Sequence, residues 1–131
     1  IIEPPLPGET GIPKTLKDYR RSLERIEKLE VSSACPGHGP VFNNVKSRIA
    51  TIFEHHQRQK LEVLNAVERI GMTVYEVSRK IFPDLKGMKV FFGVCLVMGQ
   101  LDMLADEGLV EFSGENPLII AKREQKRKAS L

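Results

Sequence analysis

Residues 36–40 read Pro36-Gly37-His38-Gly39-Pro40, and no other stretch of the chain restricts the backbone so strongly. Each proline fixes φ at about −65°, and each glycine opens φ values that other residues avoid. The five residues predict a tight corner through which neither a helix nor a strand can run. At its centre stands a histidine, the commonest metal ligand and the usual proton carrier near neutral pH. One histidine does not make an active site. Cys35 adds a Cys-x-x-His pair, but a catalytic zinc takes about three protein ligands and a water. No His-x-His, second Cys-x-x-Cys or carboxylate cluster stands nearby to complete a set.

Around this corner the pattern is mostly helical. Residues 1–13 are rich in Pro and Gly and read as a loop, with Ile1-Ile2 closing a strand. Thr15, with Asp18 as its capping-box partner, opens a helix whose apolar face is Leu16, Tyr19, Leu23, Ile26 and Leu29. Its other face, with Lys17, Arg20, Arg21, Glu24, Arg25 and Glu27, is expected to be wet. Residues 31–35 are small and partly β-branched, which predicts a short buried strand leading into the corner. Asn43 or Asn44 then caps a second helix over about 44–70, stopped by Gly71. Its apolar period runs through Val45, Ile49, Ile52, Phe53, Val63, Leu64, Val67 and Ile70, with a polar interruption at 54–60. Unbroken, it is a strut of about 27 residues and roughly 40 Å.

Beyond it, Thr73 and Glu76 form a capping box for a short helix ended by Pro83. A fourth helix spans about 88–107 and closes at Gly108. Residues 109–112 and 118–121 flank Ser113-Gly114-Glu115-Asn116 and predict a hairpin. Helix, short helix, turn, helix and hairpin is the order of a winged helix-turn-helix, here over 58–122. Residues 123–131 form a basic tail. The fold class expected is α+β, predominantly helical.

Composition excludes several classes. With 41% hydrophobic and 28% charged residues the chain folds rather than staying disordered. Its net charge of +3 is mild and is concentrated in the tail. Two cysteines make no disulfide framework, which points to a reducing, cytoplasmic setting. The most apolar stretch, 90–101, is too short to span a bilayer, so no membrane partner is expected. No Gly-x-Ser-x-Gly elbow and no phosphate-binding loop is present.

His55 and His56 are adjacent on the second helix and point about 100° apart, so they cannot share one metal face. One of them can pack beside the corner. The fourth helix should carry basic or amide side chains if it reads nucleic acid. Instead Gln100 is the only polar side chain in 90–101. That predicts core plus interface, the interface being Val90, Phe91, Phe92, Val97 and Met98, with weak or no nucleic-acid binding. Lys86 and Lys89 leave room for a phosphate contact.

These residues resemble a known family. Pro36-Gly37-His38-Gly39-Pro40, preceded by Leu16-x-x-Tyr19-x-x-Ser22-Leu23 and followed by Glu54-His55 to Arg58, is similar to the C-terminal part of metallo-β-lactamase-fold hydrolases. It most resembles the β-lactamase-like protein 2 type, which carries a winged-helix-like C-terminal domain. The resemblance implies that residues 1–57 end a metallo-β-lactamase αββα domain, that the helix at 44–70 bridges, and that 58–122 form the second domain. It further implies that His38 is the last ligand of a two-metal site, usually zinc, whose other ligands lie N-terminal to this chain. The partner is then the missing N-terminal hydrolase domain, and a homodimer through the fourth helix is the second partner considered. The family helix reads His-Arg with a second Arg four residues after the His; here His56 follows His55 and Gln59 stands at the later place, leaving Arg58 to compensate. Taken alone, the chain is expected to hold no metal and to have no hydrolase activity. The alternative reading is a winged-helix nucleic-acid-binding or dimerisation module without catalysis.

Overall fold

The computed structural model describes residues 14–124. The expected strand at Ile1-Ile2, the proline-rich loop and residues 125–131 of the basic tail lie outside the described residues. Within them the order is α1 (Thr15–Glu27), α2 (Val45–Ala66), β1 (Met72–Thr73), α3 (Val74–Ile81), α4 (Met88–Asp106), β2 (Val110–Ser113) and β3 (Ile119–Lys122).

Two cores form along one helix. Val45 and Ile49 near the start of α2 pack with Leu23 of α1, and with Ala34 and Phe42 from the loop between the helices. Val63 near its end joins Val67, Met72, Val77, Val97, Leu101, Leu104, Val110 and Ile120. The polar stretch at 54–60 does not interrupt α2, because a helix needs apolar residues only where a neighbour covers it. The helix does end earlier than the periodicity predicts. Val67 turns to φ −74°, ψ 132°, which keeps its side chain buried but breaks the period. Ile70, expected on the apolar face, is therefore 88% exposed.

The second core belongs to α3, α4 and a three-stranded antiparallel sheet of order β1-β3-β2. Met72 pairs with Ile120, and Phe112 pairs with Ile120 from the other side. The hairpin strands sit one residue later than predicted. The Thr73–Glu76 capping box is present: Glu76 N donates to Thr73 Oγ1 at 3.2 Å, and Thr73 N donates to Glu76 Oε2 at 2.7 Å. The bonds that Thr73 donates hold the Glu76 carboxyl below its ordinary range. Gly93 lets α3 and its following turn approach α4; a Cβ there would meet Leu85 Cδ1 at 2.9 Å and Ser78 Oγ at 3.1 Å.

Four expectations need correction. Thr15 is the first helical residue rather than the cap; Lys14 precedes the helix, and no side chain caps it. Residues 31–35 form no strand among the described residues: only Ala34 bridges to Phe42, and most of the stretch is exposed, since nothing else lies alongside to pair with it. Val97 cannot serve an interface, because it is fully buried in the chain's own core; Val90 and Met98 are half-buried, and only Phe91 and Phe92 are exposed.

The fourth correction concerns the polar face of α1, which is not uniformly wet. Lys17 keeps only 16% of its side chain exposed, and its ammonium donates to Asp106 on α4. Lys14 lies 3.7 Å from the same carboxylate. One turn earlier on α4, Asp102 is buried; burial pushes its carboxyl up, while Lys14 and Lys17 pull it back down. On α2, Lys60 donates to Glu107 at 2.5 Å, and Gln59 accepts from Gln100 at 3.4 Å. A polar seam thus ties α1 and α2 to α4.

Leu101 is fully buried at the centre of the larger core. Leu101→Ala removes that burial and leaves a cavity, so urea unfolding is expected to show a loss of about 2–5 kcal/mol.

Candidate functional site

The corner at 36–40 is built by one pair of backbone hydrogen bonds. Ala34 N donates to Phe42 O at 2.9 Å, and Phe42 N donates to Ala34 O at 3.1 Å. This mutual pair closes the intervening loop at its base. Ala34 and Phe42 pack against the smaller core, which fixes the base to α1 and α2. Arg48 on α2 covers the outer side of Phe42, its guanidinium carbon 5.6 Å from the ring centroid. Gly39 takes φ +94°, a left-handed value that a side chain would resist. His38 stands between the two glycines, exposed. A Cβ added at Gly37 or Gly39 would meet nothing within 4 Å, so the tip stands clear of the described residues.

Four apolar side chains between the end of α1 and the start of α2 are exposed. Leu29 and Val41 are 59% and 60% exposed, and Ile26 and Val31 are also exposed. A cleft of about 430 Å³, lined by Val31, Ser32, Asn44 and Ser47 among others, opens beside them at the start of α2.

The two adjacent histidines separate as the helical geometry requires. His55 is exposed, and His56 faces α1. The Tyr19 ring meets the His56 ring edge-on at 5.9 Å, and the Arg20 guanidinium lies 3.5 Å from His56 Nδ1. Arg20 also stacks on Phe53, its guanidinium carbon 4.5 Å from the ring centroid. Burial, and then the charges of Arg20 and His55, hold His56 below its ordinary value. Arg58 is exposed. None of these groups is brought to His38 in a ligand set: among the described residues no three His, Cys, Asp or Glu side chains could share a metal ion. Cys35 is exposed and free; Cys95 is half-buried, and burial pushes its thiol up.

The Arg20–Phe53–His56–Tyr19 cluster was not legible in the sequence, because Arg20 lies on the face that periodicity assigns to solvent. The Gln59–Gln100 bond had a signal: Gln100 is the lone polar side chain in an apolar run, and a buried amide needs a partner.

No family model matches the chain. The chain is 29% identical over 113 residues to a Bacillus subtilis protein named "Probable metallo-hydrolase YqjP", covering 86% of this chain and 35% of that protein. It is 27% identical over 103 residues to the Caenorhabditis elegans "Beta-lactamase-like protein 2 homolog", covering 78% and 35%. A solved metallo-β-lactamase family protein from Thermus thermophilus superposes with a TM-score of 0.69 at 28% identity, over 84% of this chain and 34% of that one. The chain therefore spans about a third of the length of the curated relatives it matches.

Since the folded His56 takes up its proton at lower pH than an unfolded histidine, the stability linked to it is present above about pH 6.5 and is lost as pH falls toward the folded value. His56→Gln is expected to flatten that part of the stability-versus-pH curve, measured by thermal melts across the range.

Proposed function

We propose that this chain, related to metallo-β-lactamase-fold hydrolases, is the C-terminal part of a metal-dependent hydrolase and supplies one metal ligand, His38. The observation that carries this is the loop itself. Its base is hydrogen-bonded and packed, its tip is clear, and its single imidazole is exposed. Such a loop holds a ring nitrogen at a defined place for a ligand brought from elsewhere.

The donor count fits one ligand and no more. A catalytic zinc takes about three protein ligands, and the described residues contain no group that provides them. The other ligands must come from the part of the fold outside this chain, so no hydrolytic step is derived from these residues alone. When bound, zinc would activate water and polarise the substrate. On this reading the chain presents His38 on a loop closed at its base and leaves Ile26, Leu29, Val31 and Val41 exposed for the rest of the hydrolase fold to cover. The reading places zinc, in a pair of ions, in the intact protein and none in the isolated chain.

The unit after α2 we read as a winged-helix-like accessory domain, supported by the sheet order β1-β3-β2 with α3 and α4 between β1 and β2. On this reading α2 bridges residues 1–57 and 58–122. Base readout of nucleic acid by α4 has poor support, because Gln100 and Asp102 are buried and the exposed start of the helix carries Met88, Phe91 and Phe92 with Lys89 as its one basic side chain. The alternative, a dimerisation module without catalysis, is favoured only by that exposed apolar start. Two free thiols fit a reducing, cytoplasmic setting.

The test is metal content and turnover of the isolated chain. The expected outcome is no stoichiometric zinc by elemental analysis and no hydrolysis of thioester, lactam or phosphodiester substrates. Tight stoichiometric zinc with turnover would overturn the reading.

A further inference from the structure

The start of α4 projects apolar side chains into solvent. Met88, Phe91 and Phe92 are 70%, 46% and 54% exposed, and the two rings meet edge-to-face at 6.0 Å. The turn that presents them is braced. Arg79 on α3 donates from Nη1 to the carbonyl of Leu85 at 2.8 Å and to that of Phe82 at 3.4 Å, and from Nη2 to that of Pro83. Leu85 and Phe82 pack inward beside Gly93, where both would touch a Cβ. The apolar groups of the turn that can reach the core have done so. Met88, Phe91 and Phe92 remain outside on a fixed tip.

The tip is also cationic. Lys86 and Lys89 are exposed, and neither joins an ion pair among the described residues. The first turn of α4 contains no acidic residue. Asp84, exposed, is the one carboxylate between Pro83 and Phe92. The positive end of the helix dipole adds to the two ammonium groups.

We propose that this tip docks on the surface of a bilayer containing anionic lipids. Met88, Phe91 and Phe92 enter the boundary between headgroups and acyl chains, while Lys86 and Lys89 meet anionic headgroups. A small apolar insertion joined to basic residues is the two-signal arrangement that holds peripheral proteins. A second copy fits less well. Three side chains fall far short of the roughly 800 Å² per partner of a stable protein interface, and a two-fold contact here would bring four lysines into one small interface. The contact is peripheral rather than spanning, because Val97, Leu101 and Leu104 of the same helix lie in the protein core. The sequence leads to the opposite expectation, no membrane partner, because the apolar stretch 90–101 is too short to span a bilayer; a peripheral contact needs no span. The apolar patch beside His38 lies on other elements, and this inference does not use it.

The test is co-sedimentation of the chain with phosphatidylcholine vesicles, with and without phosphatidylserine. The chain is expected to pellet with the anionic vesicles and to stay in solution with phosphatidylcholine alone. Phe91→Ala with Phe92→Ala should lower the partition coefficient roughly tenfold. Lys86→Gln or Lys89→Gln should each lower it about fivefold. All four side chains are exposed, so circular dichroism is expected to show unchanged folding, and the lysine variants test the proposal separately from the apolar ones. Absence of phosphatidylserine-dependent pelleting overturns the proposal. So does pelleting that neither set of variants changes, or a dimer in gel filtration that the paired phenylalanine variant dissolves.

Discussion

The burial of α2 at both ends is the constraint on which the rest of the structure depends. Val45 and Ile49 anchor one end in a small core with Leu23, Ala34 and Phe42, and Val63 anchors the other among the residues of α3, α4 and the sheet. Most of the stability of a protein helix comes from tertiary packing rather than from propensity. Here each end is held by packing, so the helix becomes a strut of about 33 Å. The loop carrying His38 is fixed to the start of that strut through Phe42. The helical unit is fixed to its end. Neither could hold its place if α2 frayed.

The polar seam adds direction to this arrangement rather than much stability. Exposed ion pairs are worth little, about 0–1 kcal/mol at the median. The pairs made by Lys17 and Lys60 are better shielded, with side chains 16% and 14% exposed. Asp102 is the costly member: burial disfavours its charge, and the two lysines at the start of α1 only partly offset that. The Gln59–Gln100 bond satisfies two amides that would otherwise be left between packed helices. Together these contacts allow one register of α1 and α2 against α4, which an apolar contact alone would leave looser.

Much of this was legible in the sequence, and the failures share a cause. The Thr73–Glu76 capping box, the stop at Pro83 and the hairpin after Gly108 are local signals, and local signals survive folding. The glycines and prolines of residues 36–40 predicted a corner, and the chain makes one. What periodicity could not supply was how far each neighbour extends. Ile26 and Leu29 fit an apolar stripe, yet they remain exposed. Residues 31–35 have strand-like composition but lack a partner beyond Phe42. Lys17 and Arg20 read as solvated because their partners, Asp106 and His56, are distant in sequence. Of the candidate site the sequence offered one histidine on a corner of glycines and prolines, with no ligand set beside it.

The exposed apolar side chains at Ile26, Leu29, Val31 and Val41, the clear tip of the loop and the one-third coverage of the relatives fit a single account. In it, this chain presents one ligand to a metal site that the remainder of a hydrolase completes. The most direct measurement is X-ray absorption at the zinc edge on the intact hydrolase, with and without His38→Ala. The account predicts that the variant loses one imidazole from the metal's coordination shell. An unchanged shell, with metal content preserved, would contradict it.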